Sequence, residues 1–276
     1  MRFVSGAVLM MLMAACAPVR EPPALARPAL AIRPPQAAME LVKPDLPALP
    51  AEEPRVSRGE FSGITFEGVS FDARSHRLVV IDQADGPGSR FADAAAAAQS
   101  VGGLAAVNGG FFTPEGEPLG LVVAAGKRSG AWNTASSLGS GVWHESDRSA
   151  ISRREKLGRA GAAGMRELLQ AGPMLVENGR VVSGLDSVKA SARTMILWNG
   201  GSRWWIGRST PASLAQTAAA LDSHKIPGWP VRHALNLDGG RSSELWVSPQ
   251  VSGGPLLRRP PWNRPVRNFL VLVPVP

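Results

Sequence analysis

The chain has 276 residues, is 44% hydrophobic, and carries a formal charge of +8 with a single cysteine. That apolar content supports one large core or two small ones and excludes a disordered protein. With the only cysteine at position 16, a folded region beyond it cannot depend on disulfides, thiolate catalysis or cysteine-bound zinc.

Met1-Arg2, the apolar stretch Phe3 to Met13 and the small residues before Cys16 read as a signal peptide whose apolar region is too short to span a bilayer. Cleavage directly before Cys16 resembles processing at a lipobox, which makes Cys16 the lipidated first residue of an exported envelope protein anchored to a membrane. The alternative is an ordinary signal peptide with an incidental cysteine, since Met13 is not the favoured residue at its lipobox place. From 17 to 54, proline recurs every few residues, which predicts an extended spacer of roughly 3 Å per residue. The folded domain is placed at 55–276. The basic residues are mostly single arginines, so the positive balance of an exported chain suits a phosphorylated substrate or anionic lipid and no nucleic acid.

Within the domain, Ile64 to Phe71 and Arg77 to Ile81 predict an opening pair of strands. A helix is expected over Arg90 to Ser100, capped by Ser89 and stopped by Gly102-Gly103. Leu104 to Val107 reads as a buried strand. Met174 to Glu177 and Arg180 to Val182 flank Asn178-Gly179, a strong hairpin signal, and Met195 to Trp198 and Arg203 to Ile206 flank a second turn at Asn199 to Ser202. Thr210-Pro211 offers a start for a helix to about His224. Further strands are expected at His233 to Leu237 and Glu244 to Val247. Hairpins mixed with helix-to-strand units predict an α+β domain with a mixed, largely antiparallel sheet and a few packed helices.

Two segments share one layout, an apolar strand followed by a polar residue and two glycines: Ala106-Val107-Asn108-Gly109-Gly110 and Asn236-Leu237-Asp238-Gly239-Gly240. Glycines there let the backbone bend and a ligand approach, although turn chemistry alone explains either copy. With Phe111-Phe112, Ala171-Gly172-Pro173-Met174-Leu175-Val176, Ala192-Arg193-Thr194, Arg241-Ser242-Ser243 and the closing Asn263 to Val271, these segments resemble the phosphodiester glycosidase family, in the family's order. Arg241 departs from it, standing where many relatives have a third glycine or another small residue.

The resemblance implies hydrolysis of a sugar-1-phosphodiester, here on a cell-envelope glycan or glycolipid. The leaving phosphate ester is a stable anion, so a strong general acid is less necessary than in ordinary glycoside hydrolysis. What the site needs is a carboxylate facing the sugar and donors around the phosphate. Asp238 is the candidate carboxylate, its bland reading being a turn aspartate. Arg193 is the candidate phosphate ligand, its bland reading a surface arginine at a strand start. Asn108 offers an amide, Gly109, Gly110, Gly239 and Gly240 offer backbone N–H groups, and Thr194, Ser242 and Ser243 offer hydroxyls. Arg241 either contacts the phosphate or narrows the pocket. Glu177 and Glu244 are second-carboxylate candidates. His76, His144, His224 and His233 show no metal-ligand spacing, so no cofactor is expected, with a divalent cation left open. Of Trp132, Trp143, Trp204, Trp205 and Trp262, one or two are candidates to stack on a sugar, with core packing the default. A non-catalytic exopolysaccharide-binding or assembly lipoprotein is the alternative function.

Overall fold

The computed structural model describes residues 50–222 and 226–275. The signal peptide, Cys16, most of the spacer and His224 lie outside the described residues.

In chain order the strands are β1 (Arg55–Phe61), β2 (Ile64–Asp72), β3 (His76–Asp82), β4 (Ala105–Asn108), β5 (Val122–Ala124), β6 (Lys127–Ser129), β7 (Gly141–Glu145), β8 (Ser149–Arg153), β9 (Glu167–Ala171), β10 (Met174–Glu177), β11 (Arg180–Val181), β12 (Ser191–Trp198), β13 (Arg203–Ala212), β14 (His233–Asn236), β15 (Leu245–Val247), β16 (Leu256–Arg258) and β17 (Asn268–Pro274). The helices are α1 (Ala94–Gln99), α2 (Arg154–Gly161) and α3 (Leu214–Asp222). The strands form three antiparallel sheets, ordered β1-β2-β13-β12-β14-β10-β11, β16-β15-β4-β17-β3 and β6-β5-β9-β7-β8. The chain is therefore richer in β-structure than the α+β expectation, and three sheets replace the expected one.

One core joins the inner faces of all three. Val69, Ile196 and Leu235 enter it from the first sheet, Leu78, Val107 and Leu270 from the second, and Trp143 and Leu169 from the third. The outer face of the first sheet packs Met195, Leu197 and Trp205 under Ala218 and Leu221 of α3. The outer face of the second packs Phe269 and Val271 under Ala94, Ala97 and Ala98 of α1. Central strands are thus buried on both sides, which is why Met195-Ile196-Leu197 reads as an unbroken apolar run.

Register lays the inner face of the first sheet out in rungs. Trp198, Trp204 and Phe71 form one, and Ile196, Ile206 and Val69 the next. The following rung is polar: Thr194, Arg208, Glu67 and Arg58, on β12, β13, β2 and β1. It closes the apolar interior at the end of the sandwich where β4 and β14 run out.

Both expected hairpins form, with Asn178 and Gly179 at φ 52° and 76°. Other elements differ from expectation. The strands β2 and β3 are not a pair, because β2 lies between β1 and β13 while β3 joins β17 in another sheet. Helix α1 is shorter than predicted and capped by Asp93, which accepts from the Ala96 amide at 2.9 Å, rather than by Ser89. Thr210-Pro211 stays in β13, where Thr210 Oγ1 accepts from the Thr65 amide. Helix α3 begins after Ser213, whose hydroxyl accepts from the Gln216 amide at 3.1 Å while Gln216 Oε1 accepts from the Ser213 amide at 2.9 Å. That reciprocal cap outcompetes the Thr-Pro start.

Candidate active site

The two strand–polar–Gly-Gly segments lie in different sheets, on β4 and β14, yet their loops meet. The Asp238 amide donates to Gly109 O at 3.0 Å, and Asn108 Nδ2 donates to Asp238 O at 2.7 Å. Asn108 is fully buried, and its Oδ1 accepts from Thr194 Oγ1 at 2.7 Å and from the Glu244 amide at 3.1 Å. Thr194 Oγ1 lies 3.0 Å from Ser243 Oγ, whose own neighbour is Arg208 Nε at 3.2 Å. A continuous hydrogen-bonded chain therefore runs Asp238–Asn108–Thr194–Ser243–Arg208. Asn108 is the pin that fixes the Asp238 loop, with its oxygen and one N–H engaged inside the protein.

The Asp238 carboxylate accepts from the Gly239 amide at 2.9 Å and from the Ser242 hydroxyl. Burial pushes its pKa above the ordinary aspartate value, opposed by those two hydrogen bonds and by the positive charge of Arg264. The result is a carboxylate made more basic than usual, under the positive charge of Arg264. Gly239 is required sterically, since a Cβ there would sit 2.5 Å from Ala192 O. Gly240, at φ 59°, starts the short 3-10 turn that carries Ser242 back to the carboxylate.

The remaining candidates separate. Arg193 is buried, and its Nε and Nη2 donate to Ala212 O at 2.9 Å and Lys189 O at 2.6 Å. It neighbours Thr194 in sequence but points to the α3 side of the sheet, with Met195. The Gly109 amide donates to Asn268 O and the Gly110 amide to Asn268 Oδ1, both at 2.8 Å, so these N–H groups are held by the protein rather than presented to an anion. Arg241 is exposed, with Nε on Trp262 O at 3.0 Å.

Glu244 lends the site its amide only. Its carboxylate faces the α1 side, accepting from the Ala94 amide with Arg259 Nε 3.2 Å away, and burial pushes its pKa up to about 7. Glu177 is a correction to the second-carboxylate expectation. It is bonded to Arg153 and Lys156 beyond the His233 end of β14, the end opposite Asp238. Trp143, Trp204 and Trp205 are fully buried core residues and Trp132 packs partly buried, which leaves Trp262, 65% exposed beside Arg241, as the tryptophan able to meet a ligand near the site.

Sequence reading missed Asn268, Arg208 and Arg264. Asn268 and Arg264 lie within the closing segment that carried the resemblance, whereas Arg208 had no motif to announce it. Among the described residues no three His, Cys, Asp or Glu side chains group as metal ligands. His76, His144 and His233 are engaged with Ser75, Ser152 and the Trp198 ring. No helix among the described residues is long and apolar enough to cross a membrane.

Two cavities, of about 790 and 300 Å³, open at the other end of the sandwich, around Trp198 and the Asn199–Ser202 turn. In their linings Arg77 pairs with Glu145 and Glu177 with Arg153, and neither holds a residue of the Asp238 chain.

The family model for phosphodiester glycosidase matches residues 101–273. The chain belongs to that family. The fold is shared with the catalytic domain of zebrafish N-acetylglucosamine-1-phosphodiester alpha-N-acetylglucosaminidase, auto-inhibited by its pro-peptide, at 18% identity and a TM-score of 0.52 over 83% of this chain and 84% of that one. A hypothetical protein from Synechocystis is similar at 18% identity and TM-score 0.53, over 82% of this chain and 64% of its own. No curated protein matches the sequence. The matched region contains Asn108, Thr194, Asp238 and Arg264, so the hydrogen-bonded chain lies inside the family domain.

Proposed function

We propose that this phosphodiester glycosidase domain hydrolyses the bond between an anomeric carbon and phosphate in a sugar-1-phosphodiester of the cell envelope. One observation carries the reading: a partly buried carboxylate of raised basicity, Asp238, fixed by hydrogen bonds at a loop junction and under the positive charge of Arg264. Such a group serves as base for water or as nucleophile on the anomeric carbon. The leaving phosphate ester departs as an anion, so the absence of a second carboxylate from the hydrogen-bonded chain suits this reaction better than ordinary glycoside hydrolysis. The activity named for the zebrafish protein supports the same class of substrate.

The test is incubation of the purified chain with a panel of sugar-1-phosphodiesters, reading free sugar and phosphomonoester. Turnover abolished by Asp238→Asn is expected. No turnover on any member, with glycan still bound, supports the binding or assembly lipoprotein instead. We also infer export with lipidation at Cys16, from the apolar leader and lone cysteine, with 17–54 as spacer. Mass spectrometry of the mature N-terminus decides it, and an unmodified Cys16 contradicts it.

A further inference from the structure

Glu67, in the polar rung, stands among three arginines. Arg58 and Arg208 are its cross-strand neighbours, and Arg258 reaches it from β16 of the second sheet with Nε and Nη2 on its two oxygens. Arg58 Nε lies 3.2 Å from the same carboxylate. Three guanidinium groups against one carboxylate leave two positive charges uncompensated where the first and second sheets meet.

Arg208 differs from its companions. Arg58 and Arg258 are paired with Glu67, whereas Arg208 is turned to Ser243, to which Nε donates at 3.2 Å. Among the described residues its two Nη nitrogens have no hydrogen-bond partner. Burial lowers its pKa and the Glu67 charge supports its ionised form, so it stays a cation at neutral pH while poorly solvated. A guanidinium in this state gains most from an anion that fills its remaining donors. Arg193 is in the opposite condition, with two nitrogens already on carbonyl oxygens.

Position agrees with chemistry. Arg208 is the far end of the hydrogen-bonded chain that starts at Asp238, so a ligand at its Nη atoms lies on the same face and at the same sheet end as the carboxylate loop. We propose that Arg208, oriented by Ser243 and backed by Arg58 and Arg258, binds the phosphate of the sugar phosphodiester, the role that sequence alone gives to Arg193. This rests on the glycosidase reading above.

The experiment is isothermal titration of the full chain with inorganic phosphate and with a sugar 1-phosphate, on wild type, Arg208→Gln, Arg208→Lys and Arg193→Lys, with circular dichroism to confirm folding. Arg208→Gln is expected to weaken phosphate binding by about tenfold or more, as for loss of a charge-assisted pair, with Arg208→Lys intermediate and Arg193→Lys near wild type. If Arg208→Gln does not fold, Ser243→Ala keeps the charge, removes its orienting hydroxyl, and should weaken binding about threefold. Wild type that fails to bind phosphate, or Arg208→Gln or Ser243→Ala that binds unchanged, overturns the proposal. Phosphate binding is read without turnover, so a chain that binds phosphate through Arg208 yet hydrolyses nothing refutes the hydrolase reading and leaves this site standing.

Discussion

Replacing Asn108 by Ala tests whether the site is held by one buried side chain. The substitution removes three hydrogen bonds at 2.7, 3.1 and 2.7 Å and leaves the Thr194 hydroxyl, the Glu244 amide and the Asp238 carbonyl without their partner. Thr194 retains Ser243 at 3.0 Å, while no other hydrogen bond engages the Glu244 amide among the described residues. Each unsatisfied buried group costs about 1–3 kcal/mol, so the net loss should be about 3–5 kcal/mol, a large part of a typical 5–15 kcal/mol stability. For a domain of this size that lowers the melting temperature by roughly 6–20 °C. Thermal denaturation followed by circular dichroism reads it, together with kcat on a sugar-1-phosphodiester, which should fall further than stability alone explains because the Asp238 loop is left with only its backbone bond to Gly109 O. Asn108→Asp is the sharper control, nearly identical in shape but unable, when ionised, to donate to Asp238 O. A melting temperature within about 2 °C of wild type for Asn108→Ala would refute the pin.

Three further outcomes follow from the same geometry. Gly239→Ala drives a Cβ to 2.5 Å from the Ala192 carbonyl, so turnover should drop by an order of magnitude or more and stability by about 1–3 kcal/mol; unchanged kcat and melting temperature contradict the steric account. The Glu244 pKa of about 7 lies above the ordinary glutamate value of 4.5, so its stabilising contribution is complete below that value and is lost as pH rises through 7. Glu244→Gln should therefore match wild type in acid and gain stability above pH 8, by up to about 3 kcal/mol, and melts shifted equally at both ends of the pH range refute this. Arg193→Lys cannot reach both Ala212 O and Lys189 O and should cost about 1–2 kcal/mol of stability, with the loss of kcat/KM no greater on phosphate than on aryl substrates; a phosphate-selective loss would return Arg193 to the phosphate.

The parts of the molecule legible in the sequence are those whose signal is local. Asn178-Gly179 carries its turn geometry in two residues, and the paired Gly-Gly loops announce strand ends opening to a site. Their meeting is what Asn108 Nδ2 on Asp238 O records. Pairings between distant segments carry no such mark. β2 and β3 adjoin in sequence and part into separate sheets because β2 finds β13, more than a hundred residues on, and β3 finds β17 at the chain's end. Burial on both faces also erases the alternation that would have told inner from outer residues in β12 and β13.

That erasure explains the arginine. Arg193 and Thr194 are adjacent, and any reading of the motif keeps them together, yet successive side chains on a strand point to opposite faces. Thr194 shares the inner face with Ile196, and Arg193 shares the outer face with Met195. Whatever joins Thr194 at the site must come from the neighbouring strand in the same rung, and antiparallel register supplies Arg208. The rung is polar because it is the last one before solvent, where two apolar rungs have already closed the core. A charge placed one rung deeper would displace Ile206 and lie buried without water, and one placed a rung outward would lose Ser243 and the chain to Asp238. The position of the cation is thus set by where the sandwich stops being dry.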